Sequence, residues 1–149
     1  MKQIPYLHQG SKIAIAAPAR MVTPEEMQFA INWLKEKGFV PVYDDRLFAQ
    51  HYIFAGDDDF RAAVFQEYLD NEDIEAIWLA RGGYGSIRII DKLDFTKFLQ
   101  HPKWIVGFSE ERCFTANSVD WAFPVYMLPC LSISKTRPQR PNMPCLTRF

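Results

Sequence analysis

The chain has 149 residues, of which 48% are hydrophobic and 23% charged, and its formal net charge is −1. This length suffices for one domain with a buried core, and the charge gives no general attraction to nucleic acid or to a membrane surface. No apolar run approaches the ~20 residues that cross a bilayer, and the first ten residues lack the apolar segment of a secretory signal. We therefore expect a cytoplasmic protein.

Apolar runs alternate with helical patterns along the first 109 residues. The run from Lys12 to Ala17 predicts a buried strand. A helix is predicted next, because Thr23 can cap its first turn, Pro24 suits its first position and Gly38 suits its end. A second strand is predicted over Phe39 to Tyr43.

The same alternation continues toward residue 109. A helix is predicted over Asp57 to Leu69, a strand over Ile74 to Ala80, a short helix over Ser86 to Leu93 and a strand over Trp104 to Gly107. The apolar side of the first of these helices is predicted to consist of Phe60, Val64, Tyr68 and Leu69. The order predicts an α/β fold, a flavodoxin-like parallel sheet with helices on both faces. Sites in such sheets lie beyond the carboxyl ends of the strands.

Ser109 follows the last predicted strand, in the sequence Gly107-Phe108-Ser109. A serine directly after a buried strand, in a tight turn with glycine, is typical of a nucleophile elbow. The pattern is half of Gly-x-Ser-x-Gly, because Glu111 stands where the second glycine would be. The alternative is a serine that caps the next helix.

A glycine-rich turn, Ala80 to Gly85, follows the preceding strand. Its backbone N–H groups could hold a phosphate or the oxyanion of an acyl transfer. The spacing matches neither a P-loop nor a dinucleotide fingerprint. Arg81 could bind a substrate carboxylate. The alternatives are a turn needed only for packing, a local ion pair of Arg81, and a non-enzymatic module that binds phosphate or nucleotide on Gly82 to Gly85.

No spacing indicates a metal or an organic cofactor. The three consecutive acids at the start of a predicted helix suit its dipole, the histidines are scattered, and the cysteines lack a Cys-x-x-Cys pair. The acids are Asp57, Asp58 and Asp59, the histidines are His8, His51 and His101, and the cysteines are Cys113, Cys130 and Cys145.

The composition changes near residue 110. All seven glycines lie at or before Gly107 and all three histidines at or before His101, whereas all three cysteines and five of the ten prolines lie in residues 111–149. We expect residues 1–110 to form the α/β domain that carries the nucleophile, and residues 111–149 to be an irregular or disordered tail. If the basic tail bound a partner, the chain would be an interaction fragment.

Several segments together resemble the N-terminal domain of the LD-carboxypeptidase family. Members of this family are cytoplasmic serine peptidases that remove the terminal D-alanine from murein tetrapeptides. The matching segments are Ile13–Ala19, Trp33–Phe39, Phe54–Asp58, Ala80–Gly85, Leu93–Phe95 and Pro102–Ser109. The resemblance implies a murein peptide or a similar small peptide as substrate, no cofactor, no metal, and no nucleic-acid or membrane partner. It also allows a homodimer of the intact protein.

The resemblance implies a role for each site residue. Ser109 would be the nucleophile, and the backbone N–H groups of Gly83 and Glu110 would form the oxyanion hole, although the family usually has Asp at the position of Glu110. Substrate contacts would come from Arg81, Gly82 and Tyr84. The family's catalytic His and the Glu that orients it belong to a separate C-terminal domain, so we expect this chain to be inactive or nearly so.

The codons of the tail, translated in a shifted reading frame, give a segment that is more typical of a folded protein. Back-translation of Glu111 to Pro138, displaced by one base, allows a segment that looks like the family's helix after the nucleophile and the strand that follows it. Some letters of that segment are free choices, whereas others are forced, since Trp121 before Ala122 must give glycine. We therefore expect that one base was lost near codons 110 and 111.

Overall fold

A computed structural model of the chain describes residues 4–107 and the short strand at residues 125–127. The strands are β1 (Lys12–Ala16), β2 (Val40–Val42), β3 (Ala76–Leu79), β4 (Trp104–Gly107) and β5 (Val125–Met127). They form one sheet in the order β2-β1-β3-β4-β5, and every pairing is parallel. This strand order is that of flavodoxin-like folds, so the predicted fold class is confirmed.

The helices are α1 (Pro24–Glu36), α2 (Asp58–Asp70), α3 (Ile87–Ile90) and α4 (Thr96–Gln100), with a 3₁₀ helix at Asp45–Phe48. The predicted strands and the two long helices agree with these bounds to within two residues. The short helix predicted to reach Leu93 ends at Ile90, and neither the 3₁₀ helix nor α4 was predicted.

Helix α1 begins where its sequence predicts, because both halves of a capping box are present. The Thr23 hydroxyl accepts a hydrogen bond of 3.3 Å from the Glu26 N–H, and the Glu26 carboxylate accepts one of 3.0 Å from the Thr23 N–H. Pro24 occupies the first helical position, as expected. The cap at the other end is Lys37, one residue before the predicted Gly38.

The core lies on both faces of the sheet. Along β1, Ile13 and Ile15 pack toward α1, whereas Ala14 and Ala16 pack toward α2, α3 and α4. This alternation follows from the two-residue period of a strand. The buried residues of α1 are Met27, Ile31 and Leu34. Helices on both faces are therefore confirmed.

The buried face of α2 differs from the predicted one. Tyr68 and Leu69 are buried as expected, but Phe60 and Val64 are only half-buried. Arg61, Ala62 and Phe65 are buried in their place. These positions recur at spacings of three and four residues, which is the period of one helical face.

Strand β5 lies inside the segment that we expected to be irregular. It pairs with β4 through Ile105 with Val125, Val106 with Tyr126 and Gly107 with Met127. Such pairing uses backbone groups, so an apolar segment of any origin can cover the free edge of β4. The other residues of the expected tail lie outside the described part of the chain, and the expectation for them stays a prediction.

Candidate active site

The glycine turn lies at the carboxyl edge of the sheet, beside the end of β4. Strand β3 pairs with β1 and β4 in parallel, so the loops after all three strands leave the sheet at the same edge. The Ala80 N–H donates a hydrogen bond of 2.7 Å to the Ala16 carbonyl, which continues the pairing to the start of the turn. Ser109 follows Gly107, the last residue of β4, by two positions. Ser109 and Glu110 lie outside the described residues, so their roles stay predictions.

Two glycines of the turn have conformations that other residues rarely adopt. The φ angles of Gly83 and Gly85 are +128° and +140°. A Cβ on Gly83 would lie 2.8 Å from Arg20 Cδ, and one on Gly85 would lie 2.9 Å from Phe54 Cε1 and 3.3 Å from the Ala19 Cα. The backbone conformation favours glycine at both positions. At Gly85 the Phe54 ring and the Ala19 backbone also leave no space for a Cβ, whereas at Gly83 the neighbour is the exposed Arg20 side chain. Packing alone accounts for this, and the role of the Gly83 N–H in an oxyanion hole stays a prediction.

Arg81 forms the local ion pair that the sequence analysis left open. Its Nη2 pairs with the Glu26 carboxylate, and its Nη1 donates a hydrogen bond of 3.2 Å to the Met21 carbonyl. The pKa of Glu26 lies below its usual value, chiefly because Glu26 accepts a hydrogen bond from the Thr23 backbone and also because Arg81 is near. Glu26 is therefore ionised near neutral pH, and the pair joins the turn to the start of α1.

Arg61 binds several backbone carbonyls beneath the turn, a role that was not predicted from the sequence. Its side chain is 0% exposed. Its Nε donates a hydrogen bond of 3.1 Å to the Gly56 carbonyl, and its Nη1 donates one of 3.0 Å to the Gly85 carbonyl. Nη1 also donates to the Pro18 carbonyl, and Nη2 donates to the Asp58 carboxylate. One guanidinium thus joins the loops that follow β1 and β3 to the segment that leads into α2.

The charges around Arg61 form a small network. Asp58 also pairs with Arg88, whose Nη2 lies 2.8 Å from Asp58 Oδ2. The hydrogen bond from Arg88 holds the pKa of Asp58 below its usual value, and the positive charge of Arg61 acts in the same direction. The centroid of the Phe54 ring lies 4.9 Å from Arg61 Cζ and 5.5 Å from Arg88 Cζ, so both cations contact this ring. The buried positive charge of Arg61 is therefore compensated by the adjacent carboxylate of Asp58.

The three consecutive acids begin α2, as the sequence predicts. Asp57 accepts a hydrogen bond of 2.8 Å from the Phe60 N–H, Asp58 pairs with the arginines, and Asp59 pairs with Lys92. Within the described part of the chain, no group of three or more His, Cys, Asp or Glu side chains is placed to hold a metal ion.

Two of the three histidines lie at the opposite edge of the sheet. His8 Nε2 is 3.6 Å from the carboxylate of Glu75, which directly precedes β3, and His101 Nε2 is 3.5 Å from that of Glu72. The length of β3, about 10 Å at the usual rise of a parallel strand, separates them from the glycine turn. His51 lies in the loop before α2, where its ring contacts Tyr52 with centroids 4.8 Å apart.

Exposed apolar side chains surround this edge of the sheet. Four of them belong to the loop before α2, to the glycine turn and to the start of α3, and we call this set the apolar rim. Its members are Tyr52 (83% exposed), Ile53 (51%), Tyr84 (59%) and Ile87 (56%). Several exposed apolar side chains at one edge are typical of a surface that contacts a ligand or another protein.

Comparison with known proteins places this architecture in a family. The sequence model of the LD-carboxypeptidase N-terminal domain matches residues 13–116. The chain belongs to the LD-carboxypeptidase family. The match to this LD-carboxypeptidase domain ends close to the point where the composition of the sequence changes.

The relatives include a curated enzyme and two solved structures. The chain is 33% identical over 104 residues to the probable murein peptide carboxypeptidase of Bacillus subtilis (strain 168), a match that covers 70% of this chain and 33% of that protein. It is 34% identical to the muramoyltetrapeptide carboxypeptidase from Oxalobacter formigenes, with a TM-score of 0.61 over 70% of this chain and 35% of that one.

The second solved structure is the microcin C7 self-immunity protein MccF in complex with aspartyl sulfamoyl adenosine. It is 26% identical, with a TM-score of 0.69 over 74% of this chain and 34% of that one. This LD-carboxypeptidase chain thus spans about one third of the length of the relatives it matches. Among the residues that the structure describes, no helix has the length and apolar character needed to cross a membrane.

Proposed function

We propose that this chain supplies the nucleophile domain of a serine peptidase that acts on murein peptides or similar small peptides. It would hydrolyse the amide bond before a C-terminal D-alanine. The observation that carries the proposal is the position of the glycine turn, which lies at the same edge of the sheet as Gly107, the last residue of β4, two positions before Ser109 in the sequence. The names of the matched relatives supply the substrate class.

The proposed reaction is acyl transfer through Ser109. Its hydroxyl oxygen attacks the carbonyl carbon, and the backbone N–H groups of Gly83 and Glu110 bind the oxyanion that forms. A base accepts the hydroxyl proton and passes it to the amine of the departing D-alanine, which leaves an ester on Ser109. Water then hydrolyses that ester. Gly82 and Tyr84 would contact the peptide, and the exposed Tyr84 ring suits that role.

The base would come from residues other than the two histidines at the opposite edge. His8 and His101 are too far from the glycine turn to accept the Ser109 proton. The family resemblance supplies the base from a second domain. We therefore propose that the 149-residue chain turns over an LD-tetrapeptide very slowly or not at all, and measurable turnover by the purified chain would contradict this.

A chimera provides the direct test. Residues 1–110 would replace the matching N-terminal segment of the Bacillus subtilis relative, and release of D-alanine from an LD-tetrapeptide would be measured. We expect turnover by the chimera and a loss of at least about 10³-fold in S109A. The circular dichroism of the two proteins should match. Equal turnover with and without the Ser109 hydroxyl would refute the assignment.

We further propose that residues 111–149 are an out-of-frame translation of the same gene. The change in composition and the end of the family match at residue 116 support this. The DNA across codons 105–120 tests it. Restoration of a family-like frame by one inserted base supports the proposal, whereas an intact ancestral frame that encodes this tail contradicts it.

The resemblance to cytoplasmic peptidases supports a cytoplasmic location, and a homodimer of the intact protein stays part of the proposal.

A further inference from the structure

Two arginines lie at the glycine turn, and they differ in what they contact. The Arg81 guanidinium is bound to the Glu26 carboxylate and the Met21 carbonyl. Arg20 lies in the neighbouring loop after β1 and is exposed. Its side chain has no hydrogen bond or ion pair with the residues that the structure describes. Within the described part of the chain, Arg81 is therefore paired and Arg20 is not.

The Arg20 side chain lies directly on Gly83. Its Cδ, Cγ and Nε atoms are 2.8, 3.1 and 4.0 Å from the position that a Cβ on Gly83 would occupy. Its backbone is held on both sides. Arg20 bridges Phe54, and the hydrogen bonds Ala55 N–H to Ala19 carbonyl and Met21 N–H to Ile53 carbonyl are both 3.1 Å long. These contacts fix the position of the Arg20 backbone, from which its side chain extends along Gly83, the proposed oxyanion donor.

A carboxypeptidase must hold the free carboxylate of its substrate close to the scissile bond. The carboxyl carbon of the last residue is three bonds from the scissile carbonyl carbon, so the two lie within about 4 Å. A cation that serves this carboxylate must therefore lie next to the oxyanion donors. Arg20, which contacts Gly83, meets this requirement.

Arg81 is the less suitable of the two. Its partner Glu26 is ionised near neutral pH, so a substrate carboxylate on Arg81 would meet a like charge or would have to displace Glu26. Among the residues that the structure describes, no carboxylate pairs with Arg20, which can form charge-assisted hydrogen bonds to a substrate carboxylate. We propose that Arg20, and not Arg81, binds the C-terminal carboxylate of the peptide. This inference rests on the proposed function.

A binding experiment on the complete 149-residue chain separates the two arginines. The probes are N-acetyl-L-lysyl-D-alanine and its C-terminal amide, which differ only in the carboxylate. Each is titrated into ¹⁵N-labelled chain, and the arginine Nε–H and glycine amide signals are followed. The variants are R20Q and R81Q. R20Q removes the positive charge but keeps carbon atoms at the Cγ and Cδ positions that lie against Gly83, with Cδ now an amide carbon.

We expect the wild-type chain and R81Q to bind the acid more tightly than the amide. R20Q should lose about tenfold in affinity for the acid, as expected for one charge-assisted contact, and should bind acid and amide alike. Unchanged signals away from the turn confirm that the variants are folded.

Three results would overturn the inference. They are an acid preference that survives in R20Q, loss of the acid preference in R81Q, and absence of any acid preference in the wild-type chain. The proposed function is judged separately, because Ser109-dependent turnover by the chimera does not depend on which arginine holds the carboxylate.

Discussion

The Nη1 atom of Arg61 donates a hydrogen bond of 3.0 Å to the carbonyl oxygen of Gly85. This bond connects the buried face of α2 to the glycine turn. The same guanidinium reaches the carbonyls of Pro18 and Gly56, so the relative positions of three backbone segments depend on one side chain. A turn that is fixed in this way needs no rearrangement when charge develops beside it, which is the condition for effective oxyanion stabilisation.

Replacing Arg61 should destabilise the domain far more than replacing its exposed neighbour. R61M removes the donor from three backbone carbonyls and leaves the Asp58 carboxylate paired with Arg88 alone. We expect a loss of roughly 3–5 kcal/mol in the free energy of unfolding, because each buried acceptor without a partner costs about 1–3 kcal/mol. R61K should also lose stability, because an ammonium group cannot reproduce the planar array of donors. Urea denaturation measures both.

R88K is the matched control for Arg61. Arg88 pairs with the same Asp58, but its side chain is 46% exposed. Its replacement should cost at most about 1 kcal/mol, as is usual for exposed ion pairs. A cost for R61K no larger than that of R88K would show that the buried contacts of Arg61 contribute little.

A methyl group on Gly85 should destabilise the turn through a steric clash as well as through backbone strain. The Cβ would lie 2.9 Å from the Phe54 ring and 3.3 Å from the Ala19 backbone. Gly10 is the control, because its φ is +91° and nothing lies within 4 Å of its Cβ position. G10A should cost roughly 1–2 kcal/mol from strain, and G85A should cost roughly 1–3 kcal/mol more from overpacking. Thermal denaturation decides this, and equal losses would contradict the described packing.

Stability should increase at alkaline pH because of Lys103. This buried side chain donates hydrogen bonds of 3.1 and 2.6 Å to the carbonyls of Tyr68 and Asn71, and burial lowers its pKa to about 8. In the unfolded chain the pKa is about 10.4. Between these values the unfolded state binds more protons than the folded state, so the free energy of unfolding rises with pH.

The variant K103M isolates this effect. The difference in stability between the wild type and K103M should shift in favour of the wild type from pH 8 to about pH 10.4, and it should be constant below pH 7. Urea denaturation of both proteins across this range measures the difference. A difference that does not change with pH would mean that Lys103 titrates normally.

The elements that the sequence predicted well are those with local causes. Thr23 and Pro24 set the start of α1 through contacts within one turn. The apolar runs of β1 and β4 are short and nearly continuous, as is typical of strands that are buried on both faces of a sheet. The alternation of such elements limits the topology to a parallel sheet with right-handed crossovers. Fold class and the edge that carries the glycine turn therefore followed from the sequence.

The roles of the arginines did not follow from the sequence, because they depend on distant partners. Arg61 lies four residues before Phe65 and seven before Tyr68, on the apolar stripe of α2, and a charge on that stripe was the available signal. Nothing local shows that Arg81 pairs with Glu26, which lies 55 positions away. The placement of Ser109 remains a prediction from its position after β4.

The contacts of Arg61 also bear on how this edge of the sheet can vary. At Pro18, Gly56 and Gly85 the guanidinium binds main-chain oxygens, so these hydrogen bonds do not depend on the side chains of the residues that lie between the three positions. Residues between these fixed points, such as Arg20 and Tyr84, can therefore be exchanged while the main chain keeps its course. With Arg61 in place, substitutions at these surface positions can change which ligand the edge of the sheet binds while the backbone of the domain stays the same.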